Sequence, residues 1–210
     1  MRYIIAVLCA IFSVNAVSGD AYGPIAAYEK LQQMRAENKL PGLSADGVIL
    51  PQPLLLEKLK SSVNPDAAEV RSLTLTPEGG NVTLLVHKAV DILVSVDFKV
   101  AGVDWPKRAV LIEYQGSTQS ASESMVGRIL GSMVLMAFEA ATGSNVVSNA
   151  VADKPYFKAY GNTLMIQLDQ VPSLQGTLSW GVGSFRVFDY VGIKSIRTER
   201  NQIRVQLGLV

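Results

Sequence analysis

The stretches "VRSLTLTPEGGNVTLLV" (Val70–Val86) and "IKSIRTERNQIRVQL" (Ile193–Leu207) decide the fold that the sequence predicts. Each begins with an apolar residue, a basic residue, a serine and an apolar residue, then reaches a polar turn and continues with alternating apolar positions. Alternation with a period of two is typical of a strand with one buried face, and a polar turn between two such runs predicts a β-hairpin. We therefore expect a long antiparallel hairpin towards each end of the chain.

The two stretches can be superposed residue by residue. The positions that fall opposite one another are Val70 and Ile193, Ser72 and Ser195, Leu73 and Ile196, and, after the turns, Val82 and Ile203, Leu84 and Val205, Val86 and Leu207. A predicted helix precedes each stretch, which is consistent with two related helix-plus-hairpin halves at about residues 51–118 and 119–210. The alternative is that two unrelated amphipathic hairpins share the common period-two pattern, and the sequence leaves both explanations open.

Further strands are predicted between these hairpins. Apolar residues alternate with polar ones from Ile92 to Val100, and "RAVLIEYQGS" (Arg108–Ser117) continues the pattern. "YFKAYGNTLMIQL" (Tyr156–Leu168) reads as a hairpin that turns at Gly161-Asn162. Strands with one apolar face are typical of antiparallel sheets. The glycine-rich "GTLSWGVGS" (Gly176–Ser184), with Pro172 before it, is expected to be an irregular connection.

Helices are predicted in three places. Pro24 and Pro53 each open one, because proline fits the first turn of a helix; Pro41-Gly42 ends the first. Ser120 and Glu123 have the spacing of a capping box in front of the third, which is expected to end near Gly143. Its middle, "ILGSMVLMAF" (Ile129–Phe138), is apolar on every side, so it must be buried. The predicted fold class is α+β, with long curved antiparallel sheets packed around a central apolar helix and with shorter N-terminal helices.

The first nineteen residues have the layout of a secretory signal peptide. Arg2 precedes an uncharged run from Tyr3 to Gly19, and Ala16 and Ser18 are small residues that suit cleavage. The alternative is an uncleaved anchor. We predict a signal peptide at residues 1–19, a single domain at residues 20–210, and a periplasmic or secreted location.

Charge and cysteine content exclude several classes of function. Without Arg2 the remaining chain has equal numbers of basic and acidic residues, so no basic excess would attract nucleic acid. Cys9 is the single cysteine and lies inside the predicted signal peptide. We therefore expect no disulfide and no thiol chemistry in the exported protein, whose stability must come from a packed core.

No catalytic or metal-binding pattern is recognisable. His87 is the single histidine, is predicted to lie at a strand edge, and has no nucleophile motif to serve. A zinc site would need three or four protein ligands, which one histidine does not provide. Asp91, Asp97, Asp104 and Glu113 are carboxylates of one region, but a solvated polar face explains Asp97, while Glu113 shares a face with Leu111. We expect the protein to have no enzymatic activity and to bind no cofactor or metal. The least favoured alternative is a hydrolase that uses a carboxylate pair.

Three segments together resemble the tubular lipid-binding (TULIP-like) modules of bacteria, among which are small periplasmic phospholipid-binding proteins. They are the apolar helix Met125–Phe138, the strand and turn "NTLMIQLDQVPSL" (Asn162–Leu174), and the closing hairpin Ile193–Leu209, and they cover less than half of the chain. The resemblance is one of pattern and involves no invariant motif. It implies a groove between helix and sheet that takes acyl chains.

The residues expected to line such a groove are Met125, Ile129, Met133, Met136, Phe138, Val96, Phe98 and Ile112. Methionine adapts to irregular partners, although the same residues would equally suit an ordinary core. Trp105 and Trp180 each lie in a predicted turn, where they would either contact a membrane interface or cap the core.

The sequence thus predicts an exported, non-catalytic protein that binds a lipid or another apolar small molecule, with transient membrane contact. The alternative is an envelope interaction or assembly protein with a dry core, which binds a protein partner through an exposed strand edge.

Overall fold

The computed structural model describes residues 24–87, 91–116, 126–127, 129–131, 133–134, 156–182 and 184–210. Its α-helices are α1 (Pro24–Ala36), α2 (Gln52–Ser62) and α3 (Pro172–Leu178), and the described residues between 126 and 134 are also helical. Its strands are β1 (Gly42–Ser44), β2 (Gly47–Pro51), β3 (Ala68–Thr76), β4 (Gly79–Val86), β5 (Ile92–Asp104), β6 (Ala109–Gly116), β7 (Phe157–Tyr160), β8 (Thr163–Gln167), β9 (Gly181–Val182), β10 (Phe185–Arg186), β11 (Val191–Glu199) and β12 (Gln202–Leu209). Short 3-10 helices span Leu168–Gln170 and Val187–Asp189.

The strands form two antiparallel sheets and one small hairpin. The four-stranded sheet has the order β1-β2-β12-β11, the six-stranded sheet has the order β3-β4-β5-β6-β8-β7, and β9 pairs with β10. Strand β11 lies against β3, β4 and β5, so the two sheets pack on each other. The structure confirms the predicted α+β class, its antiparallel sheets and its three hairpins.

The two hairpins that are alike in sequence are also alike in register. A bulge lies between Val70 and Ser72 in the first hairpin and between Ile193 and Ser195 in the second. The same number of paired residues follows each bulge, and each hairpin then turns through two residues, at 77–78 and 200–201. The two hairpins therefore match position by position from the bulge to the turn.

The register also corrects the predicted alignment beyond the turns. Leu73 is opposite Val82 in the first hairpin, and Ile196 is opposite Val205 in the second. Val82 therefore matches Val205 and not Ile203 as predicted, and the later positions shift in the same way. A displacement by two residues leaves the alternation intact, so the period-two pattern alone cannot detect it.

The order hairpin, proline-led helix and bulged hairpin occurs twice along the chain. The first set is β1–β2, α2 and β3–β4; the second is β7–β8, α3 and β11–β12, with β9–β10 inserted before the last hairpin. Each opening hairpin joins the sheet of the other set, because β2 pairs with β12 and β8 pairs with β6. Neither set therefore completes a sheet without the other.

Helix α1 begins at the predicted proline but ends earlier than predicted. It stops at Ala36, before Pro41-Gly42, because Asn38 adopts the left-handed conformation with φ of 54°. The N–H of Lys39 donates to the carbonyl of Met34 (2.8 Å) and the N–H of Asn38 to that of Arg35 (3.1 Å). This arrangement is a Schellman motif, which satisfies the last carbonyls of the helix.

Helix α2 confirms the prediction made from Pro53. Proline occupies its first turn, and Leu55 and Leu59 are fully buried one turn apart. The side-chain carbonyl of Gln52 accepts from the N–H of Leu75 (3.1 Å), and the N–H of Gln52 donates to the carbonyl of Asn201 (2.8 Å). The start of α2 thereby links a strand of the six-stranded sheet to the turn of the β11–β12 hairpin.

The prediction of an irregular connection after Pro172 was wrong. Pro172 begins α3, which buries Leu174 completely, and Gly176 lies inside this helix. The end of the same stretch contains β9, which pairs with β10. Glycine weakens propensity for both helix and strand, so the glycine-rich composition conceals both elements.

The core is one contiguous cluster to which both sheets and α2 contribute. Within the predicted apolar helix, Val126, Ile129, Leu130, Met133 and Val134 are buried members of this cluster. These residues are therefore helical and buried, while the arrangement of curved sheets around a central helix stays a prediction.

Several predicted features lie outside the described residues. They are the signal peptide at residues 1–19, the capping box of Ser120 and Glu123, and the helix end at Gly143. In the part of the chain that the structure describes, no helix is long and apolar enough to cross a membrane.

Substitution of Gly47 tests the closure of the four-stranded sheet. A Cβ at Gly47 would overlap the carbonyl oxygen of Val205 on the paired strand β12. We expect Gly47→Ala to lower the free energy of unfolding by about 1–3 kcal/mol, measured by urea denaturation, because backbone must move. Gly176→Ala is the control: its Cβ meets open space in α3, so it should raise the free energy of unfolding by roughly 0.5–1 kcal/mol. Equal effects of the two changes would contradict the structure.

Candidate functional site

The residues predicted to line an apolar groove are core residues wherever the structure describes them. Val96, Phe98, Ile112, Ile129 and Met133 are all buried in the core cluster. A cavity wide enough for an acyl chain would leave the side chains around it partly uncovered, and these side chains are almost fully covered by protein. Met125, Met136 and Phe138 lie outside the described residues. The described part of the predicted lining therefore favours a packed core.

The two tryptophans have opposite surroundings. Trp105 is 4 % exposed, whereas Trp180 is 53 % exposed. The ring of Trp105 lies over Gly192 of β11, where a Cβ would overlap it, and its Nε1–H donates to the carbonyl of Phe188 (3.1 Å). Trp105 is thus an anchor in the interior, and its predicted role as a membrane contact was wrong. Trp180 remains accessible for such a contact.

Arg108 completes this anchor. It follows Trp105 in a tight turn, adopts a left-handed φ of 51°, and places its guanidinium carbon 4.2 Å from the centre of the Trp105 ring. Its Nη2 donates to the carbonyl of Phe188 (2.6 Å) and to Oδ1 of Asp189 (3.2 Å). Burial lowers the pKa of Arg108, which the nearby carboxylates of Asp189 and Asp169 oppose. An arginine keeps its charge despite such a shift, so the ion pair persists at neutral pH.

These contacts hold the chain segment that connects α3 to β11. Two donors, the indole N–H of Trp105 and the guanidinium of Arg108, converge on the single carbonyl of Phe188. The N–H of Val187 donates to the carbonyl of Trp180 (3.1 Å), which ties the start of the segment to its end. Side chains on this segment are therefore displayed on a backbone that the core positions.

An aromatic patch lies on the outside of this anchored segment. Phe185 and Tyr190 are about half exposed, and their rings stack with centroids 4.7 Å apart and planes 10° apart. The N–H of Val210 donates to the carbonyl of Tyr190 (3.0 Å), which brings the chain's last residues alongside. The aromatic patch is defined as the exposed side chains of Trp180, Phe185, Tyr190, Leu209 and Val210.

Basic side chains flank the aromatic patch. Arg186 is exposed in β10, next to Phe185, and Lys194 is exposed in β11 with the end of its side chain at Gly208. The acidic residue of the same segment, Asp189, is engaged by Arg108. Arg186 and Lys194 are thus exposed cations on β10 and β11, the strands that precede and follow Tyr190.

The structure pairs His87 with Asp91 and places the other predicted carboxylates elsewhere. His87 Nδ1 is 3.0 Å from Asp91 Oδ1, and Asp104 pairs with Lys107 at 2.8 Å. Asp97 and Glu113 are exposed on the outer face of the six-stranded sheet. Among the described residues, no group of three or more histidine, cysteine or acidic side chains has the arrangement needed to hold a metal ion.

Sequence reasoning found one member of the aromatic patch and missed the others. Trp180 was a candidate because a tryptophan in a turn can contact a membrane interface. Phe185 and Tyr190 were not candidates, because aromatic residues beside a predicted hairpin suit a buried position equally well. Their exposure depends on the β9–β10 hairpin and on the following 3-10 turn, which the glycine-rich composition conceals.

Comparisons of the chain with protein-family models, with curated proteins and with solved structures return no match. The resemblance to tubular lipid-binding proteins therefore stays a prediction from the residue pattern.

The glycine pair at the start of the β11–β12 hairpin tests the anchor. Gly192 and Gly208 are directly opposite each other. A Cβ at Gly192 would overlap the Trp105 ring, whereas one at Gly208 would meet the movable end of Lys194. We expect Gly192→Ala to lower the free energy of unfolding by about 1–3 kcal/mol and to shift tryptophan emission to longer wavelength, as Trp105 becomes exposed.

Gly208→Ala is the matched control for this pair and should change the free energy of unfolding by less than about 0.5 kcal/mol. An unchanged emission spectrum in Gly192→Ala would show that Trp105 does not rest on Gly192.

Proposed function

We propose that this protein is an exported, non-catalytic lipid-binding protein that acts in the periplasm or outside the cell and contacts the membrane surface through its aromatic patch. The observation that carries the proposal is the exposed stack of Phe185 and Tyr190, with Trp180 and Val210 exposed on segments that are hydrogen-bonded to the same stretch of chain. Exposed apolar patches on soluble proteins mark interaction sites.

The composition of the patch favours a lipid interface over a protein partner. Tryptophan and tyrosine concentrate at the level of lipid headgroups, because their rings have an apolar body and a polar tip. The cations of Arg186 and Lys194 at the border suit anionic headgroups, each contributing on the order of 1 kcal/mol near such a surface. Full burial of a large apolar side chain contributes about 1.5–3 kcal/mol. Half-exposed side chains therefore support reversible binding.

The binding of vesicles tests the proposal, with Trp180 as an intrinsic reporter. We expect vesicles of phosphatidylcholine and phosphatidylglycerol to shift Trp180 emission to shorter wavelength, and brominated lipids to quench it, while buried Trp105 gives a constant background. Trp180→Ala and Tyr190→Ala should each weaken binding about five- to tenfold in sedimentation assays. Added salt should weaken binding further, since it screens Arg186 and Lys194.

Tyr160→Ala is the control for this experiment, because Tyr160 is equally exposed but lies on β7, far along the chain from the patch. Binding that Tyr160→Ala weakens as much as Tyr190→Ala would exclude the patch as the contact. Absence of any vesicle binding would leave the surface to a protein partner and overturn the membrane proposal.

Carriage of an acyl chain inside the protein, which the resemblance implies, is tested at Met133. In a packed core the larger side chain of Met133→Trp must displace its neighbours, so we expect the free energy of unfolding to fall by about 1–3 kcal/mol. If a lipid occupied this position instead, the variant would keep its stability and lose lipid that co-purifies with the parent protein. Urea denaturation and mass spectrometry of the extracted protein distinguish these results.

A further inference from the structure

An open groove of about 650 Å³ crosses the outer face of the six-stranded sheet. It lies at the end of the sheet that contains the β3–β4 turn and the β7–β8 turn, and it shares no residue with the aromatic patch. Its lining is polar along two rows that run across the strands.

The first polar row is made by directly paired residues of four neighbouring strands. Thr74 of β3 is opposite Asn81 of β4, Asn81 is opposite Asp97 of β5, and Asp97 is opposite Gln115 of β6. Strands are spaced about 4.8 Å apart, so the row spans roughly 14 Å. It presents a hydroxyl, an amide, a carboxylate and a second amide in line.

The second polar row lies two residues further along the strands. Thr76 is opposite Gly79, Gly79 lies beside Lys99, and Lys99 is opposite Glu113, which in turn is opposite Thr163 of β8. Because Gly79 has no side chain, the row is open in its middle. The two rows therefore lie side by side on one face of the sheet, with hydrogen-bonding groups at the regular spacing of the strands.

Hydrogen bonds between the side chains orient the centre of the first polar row. Asn81 Nδ2 donates to Asp97 Oδ1 (2.6 Å) and to Ser95 Oγ (2.7 Å), and Thr83 Oγ1 donates to Asn81 Oδ1 (3.4 Å). One carboxylate oxygen of Asp97 is thus used within the protein. A group held in this way loses little conformational entropy when it binds a ligand.

The charges of the groove select against anionic ligands. Glu78, Asp97 and Glu113 line it together with one lysine, Lys99. Phosphate or carboxylate groups would therefore be repelled, whereas hydroxyl groups can donate to the carboxylates and accept from the amide of Gln115 and the ammonium of Lys99.

From this geometry we infer that the groove binds an uncharged, polyhydroxylated chain, that is, a neutral oligosaccharide. The regular spacing of donors and acceptors across the strands matches a ligand that repeats hydroxyl groups along its length. This site is independent of the proposed membrane contact.

An NMR titration of the ¹⁵N-labelled protein tests this inference, with chitotetraose and maltotetraose as probes. We expect at least one of them to cause saturable shifts at the side-chain amides of Asn81 and Gln115 and at the backbone of Lys99. Asp97→Ala should weaken this binding at least about tenfold, because it removes a charged hydrogen-bond acceptor. Lys158→Ala, an exposed change on β7 outside the groove, should leave it unchanged.

Two results would contradict the inference. Absence of shifts with both sugars at millimolar concentration would exclude a neutral oligosaccharide. Shifts that appear in these rows with tetralysine but with neither sugar would assign the groove to a cationic peptide instead. Vesicle binding by Asp97→Ala, measured in parallel, should equal that of the parent protein. This measurement distinguishes failure of the oligosaccharide inference from failure of the membrane proposal.

Discussion

The antiparallel pairing of β2 with β12 joins the described start of the chain to its end, and the rest of the fold depends on it. The pairing places Val48 opposite Val205 and Leu50 opposite Ile203, and all four side chains are buried in the core. It tolerates no side chain at Gly47, where the two backbones approach closely. Because α2 begins directly after β2, this pairing also sets where α2 packs.

The exchange of hairpins between the sheets makes both sheets depend on pairing between strands that are far apart in the chain. Hairpin β1–β2 completes the sheet of β11–β12, and hairpin β7–β8 completes the sheet of β3–β6. Contacts of this kind join residues far apart in sequence, which slows folding because loops must close before strands can pair. The shared bulges and turns of the two long hairpins fit an internal duplication, in which each copy lends its opening hairpin to the other.

A consequence of this architecture is that the protein displays two chemically different surfaces. Trp105 and Arg108, from the turn between β5 and β6, hold the carbonyl of Phe188 and so position the segment that carries Trp180. On the outer face of the six-stranded sheet, β3 to β6 bring hydroxyl, amide and carboxylate groups into rows. Neither surface requires a reactive group, which agrees with a sequence that contains one histidine and no recognisable catalytic motif.

The sequence by itself determined the long strands, their hairpin turns and α2, because alternation and helical spacing are local properties. Only the tertiary structure decided which sheet each hairpin joins, why Trp105 is buried and Trp180 exposed, and that Thr74, Asn81 and Asp97 form one row. These outcomes depend on register and on pairing between distant segments. A displacement by two residues, or a different partner strand, preserves every local pattern while changing which side chains meet.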